Sequence, residues 1–183
     1  MKQAVSVFLS IVTVALANQA RCTALPDSCG DDKVQFEVKT DKHAPAPGAL
    51  DAGKARIVFV EVMDRNLGCW SCGSPTSRYG MDGSWVGATQ GNSYFTLDVA
   101  PGEHHLCVDW QSAFGRLRQK IGMAEFTAEA GKTYYFESKV KIKMQNGGDG
   151  GGDVDRDLDF VQVSDDEGRF RLKSAALATS TAR

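Results

Sequence analysis

Residues 33–39 read Lys-Val-Gln-Phe-Glu-Val-Lys, which sets Val34, Phe36 and Val38 on one face. This strict alternation is the period of a half-buried strand. Residues 56–62 (RIVFVEV) are almost unbroken in apolar, mostly β-branched character, and predict a central strand covered on both faces. Tyr79-Gly80-Met81 and Ser84-Trp85-Val86-Gly87 flank Asp82-Gly83, a pair that supplies the positive φ values of a tight hairpin turn. A strand at 93–99 runs into Ala100-Pro101-Gly102-Glu103, with Pro and Gly where a type II turn places them, and His104 to Trp110 is expected to return antiparallel. Further strands are predicted at 123–127 and 133–144, divided by a turn at Ala130-Gly131. Along 153–163, Val154, Leu158 and Phe160 alternate against Asp153, Asp155, Asp157 and Asp159.

Only the end of the chain departs from this pattern. Ser164-Asp165-Asp166-Glu167 has the form of a capping box, with acids placed at the positive end of a helix dipole. It predicts a short helix over 165–173 in spite of Gly168. The fold class that follows is all-β: an antiparallel β-sandwich, immunoglobulin- or transthyretin-like, with a short C-terminal helix. Residues 33–175 form a single domain, preceded by a flexible segment at 18–32 and followed by a flexible tail at 176–183, fraying from Thr179.

The first residues change the compartment. Lys2, an apolar run over 4–16 and Ala15-Leu16-Ala17 are the parts of a secretory signal peptide, expected to be removed as residues 1–17. The apolar run is short for a bilayer span, so no transmembrane segment is expected in the mature chain. Arg21 stands where a lipoprotein signal needs a small residue, which argues against a lipid anchor at Cys22. The expected address is the periplasm or the cell surface, where disulfides form and persist. A formal net charge of −2 gives no basic excess to hold a polyanion, so no nucleic-acid partner is expected.

Five cysteines therefore read as a disulfide framework with one thiol left over. In Gly68-Cys69-Trp70-Ser71-Cys72-Gly73, the following Gly-Ser-Pro-Thr-Ser starts no helix, which disfavours a redox pair whose first cysteine sits at a helix N-terminus. A zinc site would need two more ligands, and the neighbours His104 and His105 point to opposite faces of a strand. Cys69 and Cys72 are read as structural, bonded to each other or to Cys29 and Cys107, with Cys22 as the odd thiol.

Asp153, Asp155, Asp157 and Asp159 invite comparison with a calcium loop, yet the positions that would need Gly and Glu hold Leu158 and Ser164. They read better as a solvated edge-strand face. His104 shares a face with Leu106, Val108 and Trp110 and is expected to be buried and hydrogen-bonded. His105 is the better candidate for exposed chemistry. There is no Gly-x-Ser-x-Gly, no His-Glu-x-x-His and no phosphate loop, so neither catalytic residues nor a cofactor is implied.

The blocks Met81–Gly87, Gly91–Phe95, Pro101–Cys107, Trp110-Gln111 and Ala128–Phe136, in that order, resemble the bacterial domain of unknown function 2846 family. The similarity spans residues 54–172 and implies a small exported β-domain, found in exported proteins and lipoproteins, with no established activity. Pro101-Gly102-Glu103-His104 with Leu106 also resembles the hairpin of surface-layer β-modules such as the PEGA domain. Two functions are compatible with this reading. One is a non-enzymatic exported sandwich that works by contact with an envelope protein, glycan or lipid surface. The other is a ligand- or metal-binding module drawing on His105, Cys107 and the face of Asp153, Asp155 and Asp157.

Overall fold

The computed structural model describes residues 26–63, 76–111, 121–145 and 153–183. In chain order they form β1 (Phe36–Asp41), β2 (Ala55–Met63), β3 (Thr76–Met81), β4 (Ser84–Gln90), β5 (Ser93–Val99), β6 (Gly102–Gln111), β7 (Ile121–Ala128), β8 (Thr133–Gln145), β9 (Asp153–Val163), α1 (Asp165–Leu172) and β10 (Ala176–Ala182). The architecture is an all-β sandwich of two sheets, ordered β1-β10-β5-β2-β8-β9 and β4-β3-β6-β7. Among the described residues no helix is long and apolar enough to cross a membrane.

Pairing in the larger sheet is mixed, which corrects the expectation of a wholly antiparallel sandwich. β2 runs parallel to β8, and β10 runs parallel to β5. The reason lies in the turns. The β5–β6 turn does not fold β6 back onto β5. It carries the chain to the smaller sheet, where β6 pairs with β3 and β7. The turn at Gly131 (φ 81°) then returns the chain to the larger sheet, so β8 enters in the same direction as β2.

The Asp82-Gly83 hairpin forms as its residues dictate, with φ values of 51° and 86°. β2 is the central strand expected. Its inward side chains Ile57 and Phe59 join Tyr79, Phe95, Phe136 and Phe160 in the main core, where the Phe59 ring lies 4.9 Å from those of Tyr79 and Phe95. Its outward Val58 and Val60 pack with Tyr94, Tyr135 and Leu172, so the helix end covers the outer face. The Ser164 hydroxyl accepts from the Glu167 N–H at 3.3 Å and caps α1.

Both flanks of the domain are more ordered than the composition suggests. The tail expected at 176–183 is β10, inserted between β1 and β5 with Ala176 and Ala178 buried. Small side chains let it lie close to β4, where the Ala88 N–H donates to Ser180 Oγ at 3.1 Å. Within the segment expected to be flexible at 18–32, residues 26–32 lie against the smaller sheet. Cys29 is buried, and the Gly83 N–H donates to the Ser28 carbonyl at 3.3 Å.

Candidate functional site

Three outer surfaces of the sandwich differ in what covers them. The larger sheet carries α1. Residues 26–34 lie on the β3 side of the smaller sheet, held by a disulfide between Cys29 and Cys107 with Cα atoms 5.3 Å apart. The β6–β7 side is open: Glu103, His105, Met123, Glu125 and Thr127 are all exposed.

On that open side three donors converge. Glu103 and His105 share a face because they are two apart on β6, and Glu125 stands opposite His105 in the β6–β7 register. One ligand atom from each lies within 4.8 Å of the other two. His105 Nε2 is 3.8 Å from Glu103 Oε1. The strand beneath is clamped, because Asp82 Oδ1 accepts the His105 N–H at 2.9 Å and the Asp82 N–H donates to the His105 carbonyl at 3.0 Å. Through Oδ2 the same carboxylate meets His104 Nδ1 at 2.7 Å. His104 faces inward, half-buried against Phe126, with Nε2 2.9 Å from the Ala100 carbonyl. Burial pulls its pKa down, but the Ala100 carbonyl and the Asp82 carboxylate outweigh this and leave it raised.

The structure brings His105 together with Glu103 and Glu125, not with Cys107. Cys107 is buried in the disulfide and presents no thiol. The aspartates belong to β9, at the edge of the other sheet. Their register places Lys143, Lys141 and Lys139 directly across from Asp155, Asp157 and Asp159, and Gln145 across from Asp153. Cys22, Cys69 and Cys72 lie outside the described residues. Because Cys29 and Cys107 bond each other, neither is available to Cys69 or Cys72, which corrects one of the pairings considered from sequence.

Two buried polar clusters went unread in the sequence. Arg78 and Asp109, both nearly inaccessible, form an ion pair of 2.7 Å beneath residues 26–34. The Arg78 guanidinium also donates to the carbonyls of Asp32 and Val34, and it lies 4.3 Å from the Trp85 ring centroid. Desolvation raises the pKa of Asp109 although Arg78 opposes it. The second cluster lies between the sheets. Glu61 Oε2 accepts from Thr89 Oγ1 at 2.6 Å, and Tyr79 Oη lies 3.0 Å from Thr89 Oγ1 and 2.5 Å from Ser138 Oγ. Burial pushes the Glu61 carboxyl up to about 8, against the pull of the Thr89 and Ser77 hydroxyls and the Gly91 N–H. The Tyr79 hydroxyl is likewise raised, by burial first and then by Glu61. A signal for Glu61 was present, since it continues the inward parity of Ile57 and Phe59 in a strand covered on both faces.

No protein-family model matches the chain, and neither a curated protein nor a solved structure matches it.

Proposed function

We propose that this chain is an exported, non-enzymatic β-sandwich that acts in the cell envelope by holding a protein partner along β7 and the open β6–β7 face. One observation carries the reading. β7 ends its sheet, and its eight residues, IGMAEFTA, contain neither Pro nor Lys. Sheets that must stay solitary blunt their edges with such residues, and an edge with the single charge of Glu125 and no Pro or Lys is suited to strand addition by a partner. Met123, 62% exposed on this strand, gives the surface an apolar point of purchase. The signal-peptide pattern and the resemblance to an exported β-domain family agree with an envelope address, and an immunoglobulin- or transthyretin-like kinship belongs to the same reading.

A photo-crosslinking residue placed at Met123 or Thr127, in cells that export the protein, tests this. We expect one discrete cross-linked protein from both sites and none from the same residue at Asp166 on α1. Equal yields at all three positions, or none at β7, would defeat the proposal. An intact mass beginning at Asn18 checks export separately.

A further inference from the structure

We infer that Glu103, His105 and Glu125 form a surface site for one divalent transition ion of the zinc class. This does not depend on the contact surface proposed above. An imidazole nitrogen with two carboxylate oxygens is a donor set that zinc accepts, and the nitrogen separates the site from the all-oxygen sites of calcium and magnesium. The spacing fits as well. At 3.8 Å, His105 Nε2 and Glu103 Oε1 are too far apart for a hydrogen bond. Two ligands of one tetrahedral zinc stand about 3.3 Å apart, from metal–ligand distances near 2.0–2.1 Å. Three ligand atoms already within 4.8 Å of one another need only small side-chain rotations to reach that spacing.

Charge and rigidity point the same way. Among the described residues no Lys or Arg forms an ion pair with Glu103 or Glu125, and there two carboxylates face a single imidazole. All three residues rise from hydrogen-bonded strands in fixed register, which holds a site more accurately than loops do. Asp82 fixes the backbone of His105, and the disulfide at Cys107 anchors the same strand two residues further along. The exposed position leaves the remaining coordination open to water.

The test is calorimetric titration of the full chain, purified without an affinity tag and with its disulfides intact, using Zn2+ at neutral pH. We expect one ion per chain and a loss of affinity of at least about tenfold in H105A and in E125Q. Both substitutions are at exposed positions, and near-UV circular dichroism checks that the fold is kept. Glu129→Gln, outside the cluster, should bind as the parent does. The His105 ring resonances should shift with Zn2+ while those of His43 stay still. Absence of binding to the parent, or parent-like affinity in H105A and E125Q, would overturn the site, because an ion would then be absent or held elsewhere. Displacement by equimolar Ca2+ would overturn the zinc-class assignment.

Discussion

Gly168, in the middle of α1, lies directly against the Tyr135 side chain of β8. A Cβ built at Gly168 would come to 2.7 Å from Tyr135 Cβ and closer still to the ring. The helix thus rests on the sheet through its backbone, and the residue that weakens its propensity is the one that lets it dock. In an open helix Gly→Ala would stabilise by about 1 kcal/mol. Here the overlap is with the root of a ring rather than a flexible tip, so overpacking of about 1–3 kcal/mol should prevail. Gly168→Ala is expected to lower the thermal midpoint, and in a Tyr135→Ala background the same change should become neutral or stabilising. A stabilised single variant would show that the helix can move aside freely.

Glu61 makes stability depend on pH. Its folded pKa of about 8 lies above the ordinary 4.5, so between those values the unfolded chain loses a proton that the native state keeps. Stability from this group is fullest below pH 4.5 and falls as pH rises, at about 1.4 kcal/mol per unit, levelling off above about pH 8. Glu61→Gln keeps the shape without the ionisation. Urea unfolding should find it close to the parent at pH 5 and more stable than the parent at pH 8. A difference between the two proteins that does not change with pH would count against a neutral, buried Glu61.

How much of this was readable in the chain depended on how local the cause was. The Asp82-Gly83 hairpin and the Ser164 cap arise from two to four adjacent residues, and both were legible. The destination of a strand was not. Pro101-Gly102 makes the same kind of turn whether β6 folds back on β5 or crosses to the other sheet, and packing of Phe126 and Leu106 against the larger sheet decides between them. For the same reason His105 was visible as a candidate, whereas Glu125 became its neighbour only through the β6–β7 register. β10 was hidden by composition: Ala176, Ala178 and Ser180 are too small to show a hydrophobic period, yet their size is what lets the strand approach β4.

Arg78 and Asp109 should behave as a unit. Removing one partner of a buried ion pair leaves an uncompensated charge, at a cost of about 3–5 kcal/mol. Arg78→Ala is expected near that range, and it also removes the donors that hold the carbonyls of Asp32 and Val34. Limited proteolysis should then cut within residues 26–35 before the rest of the domain. The double change Arg78→Met, Asp109→Leu should destabilise less than Arg78→Ala alone. If both are equally destabilised, the loss comes from packing rather than from an orphaned charge.

The Cys29–Cys107 bond closes a sequence separation of 78 residues. In the chain-entropy view, a loop of that size restricts the unfolded state by about 4.5 kcal/mol, and measured bonds typically give 2–4 kcal/mol. The bond also holds residues 26–34 over Arg78, so its loss should loosen the same segment that Arg78→Ala frees. Peptide mapping of the unreduced protein should recover a peptide linking Cys29 to Cys107, with neither residue joined to Cys69 or Cys72. Cys29→Ser with Cys107→Ser should lower stability by about 2–4 kcal/mol in urea. A single Cys29→Ser should make Cys107, fully buried in the bonded protein, quicker to alkylate in the native state as residues 26–34 loosen. Slow native alkylation of that thiol would mean that packing and the Arg78 bonds, rather than the disulfide, keep residues 26–34 in place. A mapped link from Cys107 to Cys69 or Cys72 would contradict the pairing itself.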